Sequence, residues 1–380
     1  MRFAEYIDEW HKYALSDFAT RITRRNKNNE SSLPLTISAQ YGLVDQITFF
    51  NKTVASVDLS GYYLLYNGDF AYNKSYSNDY AWGAVKRLDK YEKGCLSSLY
   101  FVFHPTDKVD SDYLTHYFET SKWHKGISDI AGEGARNHGL LNMAVDDYFA
   151  TKHYLPSLSE QKKIACFLNL ITKRIEIQNK IISKYETLIK GIRHRVFGSI
   201  CGEKQSSLGG FLEEYSEKNV ANDLQSVAVG KYGIRKREEI YSKELSADYS
   251  KNKVIRKNTL IIGMGSTQID IGILTTDDCY CVSPAYTTYR IKGINSFYLQ
   301  EYLIELNPLL SVRYMITSAR QGKAVNKEDL MKHLMTIHSE SEQKEICQCF
   351  ENLYSRLQIE KEMLSALQKQ KAFLLQSMFI

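Results

Sequence analysis

Two long stretches of the chain share one hydrophobic spacing, in which apolar residues recur at alternating steps of four and three. The first stretch extends from Ile164 to Val196, and the second from Ile346 to Met378. This heptad spacing places the apolar residues along one side of a helix, and such a seam needs a second helix to cover it. At 1.5 Å per residue, each helix is expected to extend for roughly 50 Å.

The two stretches belong to an internal repeat. Residues 157–161 have the sequence Ser-Leu-Ser-Glu-Gln, and residues 339–343 have the sequence Ser-Glu-Ser-Glu-Gln. In each copy a serine stands three residues before a glutamate, which is the capping-box pattern that starts a helix. The seams also carry polar residues at matching positions, Gln178 and Glu360, and a polar seam residue typically fixes the register of a helix pair. We therefore expect both helices to begin at the first serine of each motif.

Two arrangements could cover the seams: a pair formed within one chain, or a homodimeric coiled coil. The helices have equal length and phase, and the segment between them is long enough to fold and return. Tethering favours the intramolecular pair, because it gives the second helix a high effective concentration. The pair would then be antiparallel, with Ile175 and Leu357 buried and an approximate two-fold symmetry within the chain.

The segments before and between the helices, residues 1–153 and 202–335, show similar features in the same order. Each has an apolar start, an alternating stretch, an aromatic strand, a short amphipathic helix and a glycine-bracketed basic loop. Turn residues flanked by β-branched and aromatic residues predict strands and hairpins in the alternating stretches. The predicted fold class is therefore α+β, with two similar domains at 1–153 and 202–335 and long helices in 154–201 and 336–380.

The composition permits a nucleic-acid partner without requiring one. The 380 residues are 43% hydrophobic and 24% charged, with a net charge of +5 and 27 tyrosines, which suit wet interfaces but also form strands well. No apolar run approaches the ~20 residues of a membrane span and none of signal length follows the start, so we expect a cytoplasmic protein. The seven scattered cysteines are expected to be reduced thiols rather than disulfides or metal ligands.

Motifs of DNA-modifying enzymes are incomplete in this sequence. Residues 283–286, Ser-Pro-Ala-Tyr, lack the second proline of the [Asn/Asp/Ser]-Pro-Pro-[Tyr/Phe] methyltransferase motif. Residues 263–266, Gly-Met-Gly-Ser, lack the GxGxxG spacing of a cofactor loop, and no GxxxxGK[ST] phosphate loop occurs. We therefore expect no catalytic residue and no metal ligand in the chain.

Three short motifs resemble those of a known family. They are a Trp-x-x-x-x-Leu opening at Trp10 to Leu15, a Gly-Asp-aromatic turn at residues 68–70, and the sequence Leu-Pro-x-Leu-x-Glu-Gln-x-x-Ile at Leu155 to Ile164. With the duplicated layout, they make the chain similar to the specificity subunits of type I restriction–modification systems. The second half departs from the pattern, since His338 replaces the proline and residues 258–260, Asn-Thr-Leu, replace the turn motif.

The resemblance implies that each domain is a target-recognition domain that reads one half of a split double-stranded DNA sequence. The long helices would set the spacer between the halves and dock DNA adenine methyltransferase subunits, in two copies. S-adenosylmethionine, Mg and ATP would be bound by partner subunits, including a motor–nuclease restriction subunit, and no cofactor by this chain. Two alternatives are a fused methyltransferase with degenerate motifs and a coiled-coil adaptor without a DNA role.

Reading a base sequence requires polar and cationic side chains on loops, with further cations on phosphates. In the first domain we expect DNA contacts from three loops: Arg24, Arg25 and Lys27; Lys74 and Tyr76; Arg136 and His138. In the second domain the expected counterparts are Lys231, Tyr232, Arg235, Lys236 and Arg237; Gln268; Arg320 and Lys323. Arg136 and Arg320 are the strongest candidates, because they recur beside glycine at equivalent places. The alternative for each residue is a solvated surface side chain.

Overall fold

A computed structural model describes residues 1–52, 54–76, 80–131, 139–198, 205–230, 233–237, 248–318 and 322–380. The chain forms two compact units: Met1–Asn179 with Glu362–Ile380, and Lys180–Lys361. Each unit contains one α+β domain and part of each long helix. The division into four segments that the sequence suggested is a different partition, and it stays a prediction.

The first domain consists of short strands and helices and leads into the long helix α6. In chain order the elements are β1 (His11–Ala14), α1 (Leu15–Phe18), β2 (Ala19–Arg21), β3 (Leu35–Ser38), β4 (Gly42–Asp45), α2 (Gln46–Phe50), β5 (Tyr63–Tyr66), β6 (Phe70–Asn73), β7 (Ala84–Arg87), β8 (Lys93–Leu96), β9 (Phe101–Pro105), α3 (Ser111–Tyr117), α4 (His124–Ile130), α5 (Val145–Ala150), β10 (Lys152–Leu155) and α6 (Leu158–Phe197).

The second domain follows the same plan and leads into the long helix α9. Its elements are β11 (Gln205–Ser207), a 3₁₀ turn (Leu208–Phe211), β12 (Leu212–Tyr215), β13 (Ser226–Gly230), β14 (Gly233–Lys236), β15 (Lys253–Ile255), β16 (Thr259–Gly263), β17 (Asp270–Leu274), β18 (Tyr280–Val282), β19 (Thr287–Ile291), α7 (Ser296–Tyr314), β20 (Met315–Ser318), β21 (Gly322–Val325), α8 (Lys327–Met331), β22 (Leu334–Thr336) and α9 (Glu340–Met378). No helix in the described ranges is long and apolar enough to cross a membrane.

The sheets of the two domains have equivalent strand orders. An antiparallel sheet is ordered β2-β9-β6-β7 in the first domain and β12-β19-β16-β17 in the second. A second layer is ordered β14-β13-β18-β15, with a parallel contact between β13 and β18. In the first domain the hairpin β3–β4 and the pair β5–β8 are joined by a parallel bridge from Pro34 to Cys95. The resulting order, β4-β3-β8-β5, is equivalent to that of the second domain. The ribbon β1–β10 likewise corresponds to β11–β22. The predicted pair of similar α+β domains is therefore confirmed.

The alternating stretches were predicted as strands joined in hairpins, and the hairpin part is wrong. β5 and β6 belong to different sheets, as do β15 and β16, so each intervening turn carries the chain between two layers. Gly68 and Asn258 both take a positive φ in these turns, +89° and +62°. The next residues, Asp69 and Thr259, both accept a bond from the backbone N–H three residues earlier, at 2.7 and 3.3 Å. Asn-Thr therefore performs the backbone role of Gly-Asp.

The long helices pack antiparallel within each unit. In the first unit Leu168, near the start of α6, shares a core with Leu374, near the end of α9. In the second unit Phe197, at the end of α6, stacks on Phe350 near the start of α9, with ring centroids 6.3 Å apart. Leu357 is buried as predicted, whereas Ile175 is half-buried. The heptad prediction of an intramolecular pair is confirmed.

The two helix starts differ in their capping. Ser339 and Glu342 form the predicted reciprocal box, with bonds of 2.8 and 3.4 Å. In the first copy Ser157 accepts from the Glu160 N–H at 3.4 Å, but the Glu160 carboxylate binds the Arg2 guanidinium through two bonds of 2.6 Å. Glu160 is buried, and a buried carboxylate is stabilised more by a cation than by one amide. The prediction of a complete capping box is thus wrong for the first copy.

The glutamine of each repeat motif joins the long helix to its domain. Gln161 donates to the Pro156 carbonyl at 2.9 Å and accepts from the N–H of Asp110, the residue that caps α3, at 2.8 Å. Gln343 donates to the His338 carbonyl at 2.9 Å and accepts from the cap of α7 at 3.5 Å. Since these bonds use the carbonyl and not the side chain, histidine can stand where the first copy has proline.

Ion pairs also tie each domain to a long helix. The Arg193 Nε donates to fully buried Glu301 at 2.9 Å in the second unit. In the first unit Lys371 of the α9 seam lies 3.0 Å from Glu119. Burial alone would raise the pKa of Glu119, but the charges of Lys371 and Lys86 lower it. These ion pairs fix each domain on its segment of the long helices.

Candidate nucleic-acid interface

The loops that carry candidate DNA contacts of the first domain leave its four-stranded sheet on one side, which we call the recognition edge. β2 and β6 are both antiparallel to β9, so they run in the same direction and end at the same edge. The chain that follows β2 carries Arg24, Arg25 and Lys27, and the chain that follows β6 carries Lys74 and Tyr76. The topology thus places these two loops, distant in sequence, at one edge.

Arg24 holds this edge together. Its Nε donates to the Leu64 carbonyl at 2.7 Å, and its Nη2 donates to the buried carboxylate of Asp69. The guanidinium lies 4.5 Å from the ring centre of Tyr66. Asp69 also lies 2.8 Å from Nδ1 of His104. These contacts fix the origin of the basic loop relative to the sheet.

Arg25 is exposed and preorganised. Its guanidinium lies 4.2 Å from the ring centre of Tyr63, and Nη1 donates to the Gly61 carbonyl at 2.8 Å. A guanidinium held against a ring loses little rotamer entropy when it binds a phosphate or a base. Lys27 is exposed on the short 3₁₀ helix Lys27–Asn29.

The loop that follows β6 is hydrogen-bonded to residues 139–141. The Tyr76 N–H donates to the Gly139 carbonyl at 3.1 Å, and the Leu141 N–H donates to the Lys74 carbonyl at 2.9 Å. Residues 139–141 directly follow the loop that carries Arg136 and His138, both of which lie outside the described residues. The Lys74 ammonium lies 4.6 Å from the ring centre of Phe101, and burial lowers the pKa of Lys74.

In the second unit three predicted residues line one groove. Arg235 and Lys236 on β14 and Gln268 before β17 border a cavity of about 430 Å³ whose other wall is α7. Gln300 and Asn307 of α7 also line it. Sequence reasoning missed these two amides, because their 3.6-residue spacing on α7 says nothing about which strands the helix faces.

Gln268 is positioned by the residue that follows it. The Ile269 N–H donates to Ser311 Oγ at 2.9 Å, and the Asn307 amide donates to the Ile269 carbonyl at 2.9 Å. The side chains of Ser311 and Asn307 are buried, so they hold the loop that carries Gln268 in a fixed position beside the groove. The groove therefore offers cations on one side and an amide on a fixed loop, which is the combination that base-edge and phosphate contacts use.

The structure changes one predicted correspondence between the domains. Arg25 bridges Tyr63 of β5, and the same bridge in the second domain joins Lys218 to Lys253 of β15. Lys218 is thus the counterpart of Arg25, and β14, with Arg235 and Lys236, corresponds to β4. The remaining candidates fall in three groups: Arg237 is half-buried after β14, Lys323 lies on β21, and Lys231, Tyr232 and Arg320 lie outside the described residues.

The two incomplete enzyme motifs are used for packing. A Cβ on Gly263 would lie 2.2 Å from the Tyr286 ring, and a Cβ on Gly265 would lie 2.0 Å from the Gln268 carbonyl oxygen. The Tyr286 hydroxyl donates to the Val229 carbonyl at 3.1 Å. Glycine at both positions therefore makes room for neighbouring residues, and Tyr286 is a structural side chain of the second domain.

No protein-family model and no curated protein matches the chain. Among solved structures, one similar chain belongs to a type I R-M system studied for its complex assembly and conformational transition, with a TM-score of 0.57, 16% identity and 98% of each chain covered. Another is the type I restriction-modification system S subunit from M. genitalium, with a TM-score of 0.56, 15% identity, and coverage of 100% of this chain and 98% of that one. The chain therefore has the fold of these type I restriction–modification proteins.

Proposed function

We propose that the chain is the non-catalytic specificity subunit of a type I restriction–modification complex and reads a bipartite DNA target. The observation that supports this most strongly is the repetition of one α+β domain, with the same strand order, each copy tied to a pair of antiparallel helices. A protein built this way presents two recognition edges with different side chains, and a split target with two unrelated half-sites requires that.

The residues divide by the contact they can make. Arg25, Lys27 and Lys74 are cations that suit phosphates beside the first half-site, with Tyr76 next to them. In the second domain Arg235 and Lys236 suit phosphates, and Gln268 suits an adenine edge through its amide. The proposed set is completed by Arg24, Arg136 and His138 in the first domain, and by Lys231, Tyr232, Arg237, Arg320 and Lys323 in the second.

The proposed partners follow from the fold that the chain shares. We propose DNA adenine methyltransferase subunits, in two copies, as the carriers of S-adenosylmethionine, and a motor–nuclease restriction subunit as the carrier of ATP and Mg. The chain itself would bind no cofactor. Gly263, Gly265 and Tyr286 belong to the motifs that would have served a fused methyltransferase, and all three are engaged in packing, which supports a non-catalytic role.

A selection experiment tests the proposal. The full chain is incubated with a library of randomised duplexes, and the retained DNA is sequenced through several rounds. Two short motifs separated by a spacer of fixed length are expected. Enrichment of a single uninterrupted motif, or of none, would contradict the assignment, as would methyl transfer by the chain purified away from other proteins.

A further inference from the structure

A lysine-rich hollow lies in the first unit, and none of the candidate DNA-contact residues lines it. It has a volume of about 540 Å³ and is lined by Lys12, Lys122, Lys125 and Lys152. All four lysines are exposed, and among the described residues none of them forms an ion pair with a carboxylate.

The ribbon β1–β10 builds half of this surface. Lys12 stands opposite Tyr154, and Ala14 opposite Lys152. Cross-strand partners and alternate residues of a strand share one face, so both lysines and the tyrosine lie on the same side of the ribbon. The Lys12 ammonium is 5.7 Å from the ring centre of Tyr154. This cation–π contact positions the Lys12 ammonium beside the hollow.

The equivalent ribbon of the second unit carries no lysine at its described positions. It has Gln205 opposite Thr336 and Ser207 opposite Leu334, so the positions of Lys12, Tyr154 and Lys152 are uncharged there. Features that both units share stabilise the common architecture. Lysines at ribbon positions of the first unit alone therefore indicate a function that belongs to the first unit. Among the side chains that line the hollow, the four lysines outnumber the two carboxylates, Asp129 and Asp147.

We propose that the hollow formed by Lys12, Lys122, Lys125 and Lys152 binds the phosphate backbone of duplex DNA without regard to sequence. The inference rests on the proposed DNA-binding function and adds a contact outside the half-sites. Lysine is a flexible point charge without the directional fork of arginine, so it suits phosphates better than base edges. Unpaired ammonium groups repel one another, and bound phosphates relieve this repulsion while releasing counterions.

The salt dependence of DNA binding tests the proposal. The variant K12Q/K122Q/K125Q/K152Q is compared with K173Q/K180Q/K184Q/K190Q, which removes the same charge from exposed positions of α6. The affinity of the full chain for a random-sequence duplex is measured over a range of salt concentrations. Four phosphate contacts contribute about 3.6 to the slope of log K against log salt, so the slope is expected to become shallower by about that amount in the first variant and to change far less in the control.

Two outcomes would overturn the inference: an unchanged slope, or an equal change in the control variant. An unchanged slope together with loss of binding to poly-glutamate would assign the surface to an acidic protein. The preferred half-sites should be the same in all variants, because these lysines read no bases. If the wild-type chain shows no sequence preference, the proposed function fails, and the slope comparison still decides whether the hollow binds phosphates.

Discussion

His153 is buried in the first domain between two hydroxyl groups. The Tyr117 hydroxyl lies 2.9 Å from Nδ1, and the Thr151 hydroxyl 2.9 Å from Nε2. Burial lowers the pKa of His153 to about 4. Because the folded-state pKa lies below the unfolded value of about 6.5, the folded protein binds fewer protons in this range. The stability that depends on neutral His153 is complete above pH 6.5 and is lost as the pH falls towards 4.

Replacing this histidine should therefore flatten the pH dependence of stability. Between pH 7 and pH 5 the free energy of unfolding of the wild type should fall by about 2 kcal/mol more than that of His153→Gln, since each pKa unit corresponds to about 1.36 kcal/mol. Urea unfolding at the two pH values measures both quantities. Parallel pH profiles for the two proteins would show that His153 is not the responsible group.

The turn residue Asn258 allows a second test at a single position. Its φ of +62° is a conformation that glycine adopts freely and β-branched residues avoid. Asn258→Gly should leave the midpoint of urea unfolding nearly unchanged, whereas Asn258→Val should lower the free energy of unfolding by about 1–3 kcal/mol. Equal stability of the two variants would contradict the equivalence of this turn with Gly68 of the first domain.

At the scale of elements, the long helices could be predicted closely and the sheets could not. The heptads and caps placed the helix starts at Ser157 and Ser339, and α6 and α9 begin one residue later. The strands are three to five residues long, and β2 pairs with β9 some eighty residues away. Such short segments carry little register information, because their pairing depends on side chains from several other elements. The false hairpins and the misplaced counterpart of Arg25 both come from this limit.

The candidate site was predictable to a similar extent. Sequence reasoning found the cationic loops, because such loops are recognisable from residue type alone. It did not find the groove amides Gln300 and Asn307, or the lysines of the hollow, which come from three separate segments. Arg24 shows another limit of residue type, which suggested a DNA contact but could not indicate the bonds to Leu64 and Asp69 that hold the turn. Its DNA contact stays a prediction.

The ion pair between Arg193 of α6 and Glu301 of α7 tests how the second domain is fixed to its helix. Arg193→Met would leave a carboxylate fully buried without its cation and should lower the free energy of unfolding by about 3–5 kcal/mol. The double variant R193M/E301L should recover most of this loss. Lys361→Met is the control, because its partner Glu186 is half exposed and such a pair contributes less than about 1 kcal/mol. Equal losses for Arg193→Met and Lys361→Met in urea unfolding would refute the assignment.

At the scale of the whole molecule, the duplicated domain predicts modular specificity. The basic loops with Arg136 and Arg320 belong to different domains, so each substitution should affect one half-site. If the arginine reads a base edge, Arg136→Ala should relax one position of one half-site by about 1–3 kcal/mol, and Arg320→Ala one position of the other. If it binds a phosphate, the affinity should fall for all sequences alike. Selection from a randomised library by each variant distinguishes these results, and relaxation of both half-sites by one substitution would contradict modularity.

The long helices predict a further property, the length of the spacer. α6 and α9 are 40 and 39 residues long, and each unit contains part of both helices. Removing one heptad from each helix keeps the apolar seam in phase and shortens both by about 10 Å, the length of about 3 base pairs. If the helices set the spacing, selection by this variant should return both half-sites unchanged with a spacer that is shorter by about that amount. Removing three residues from each helix is the control, because it breaks the phase of the seam and should destabilise the pair rather than change the spacer. An unchanged spacer with altered half-sites would show that the distance between the half-sites is set by the domains themselves.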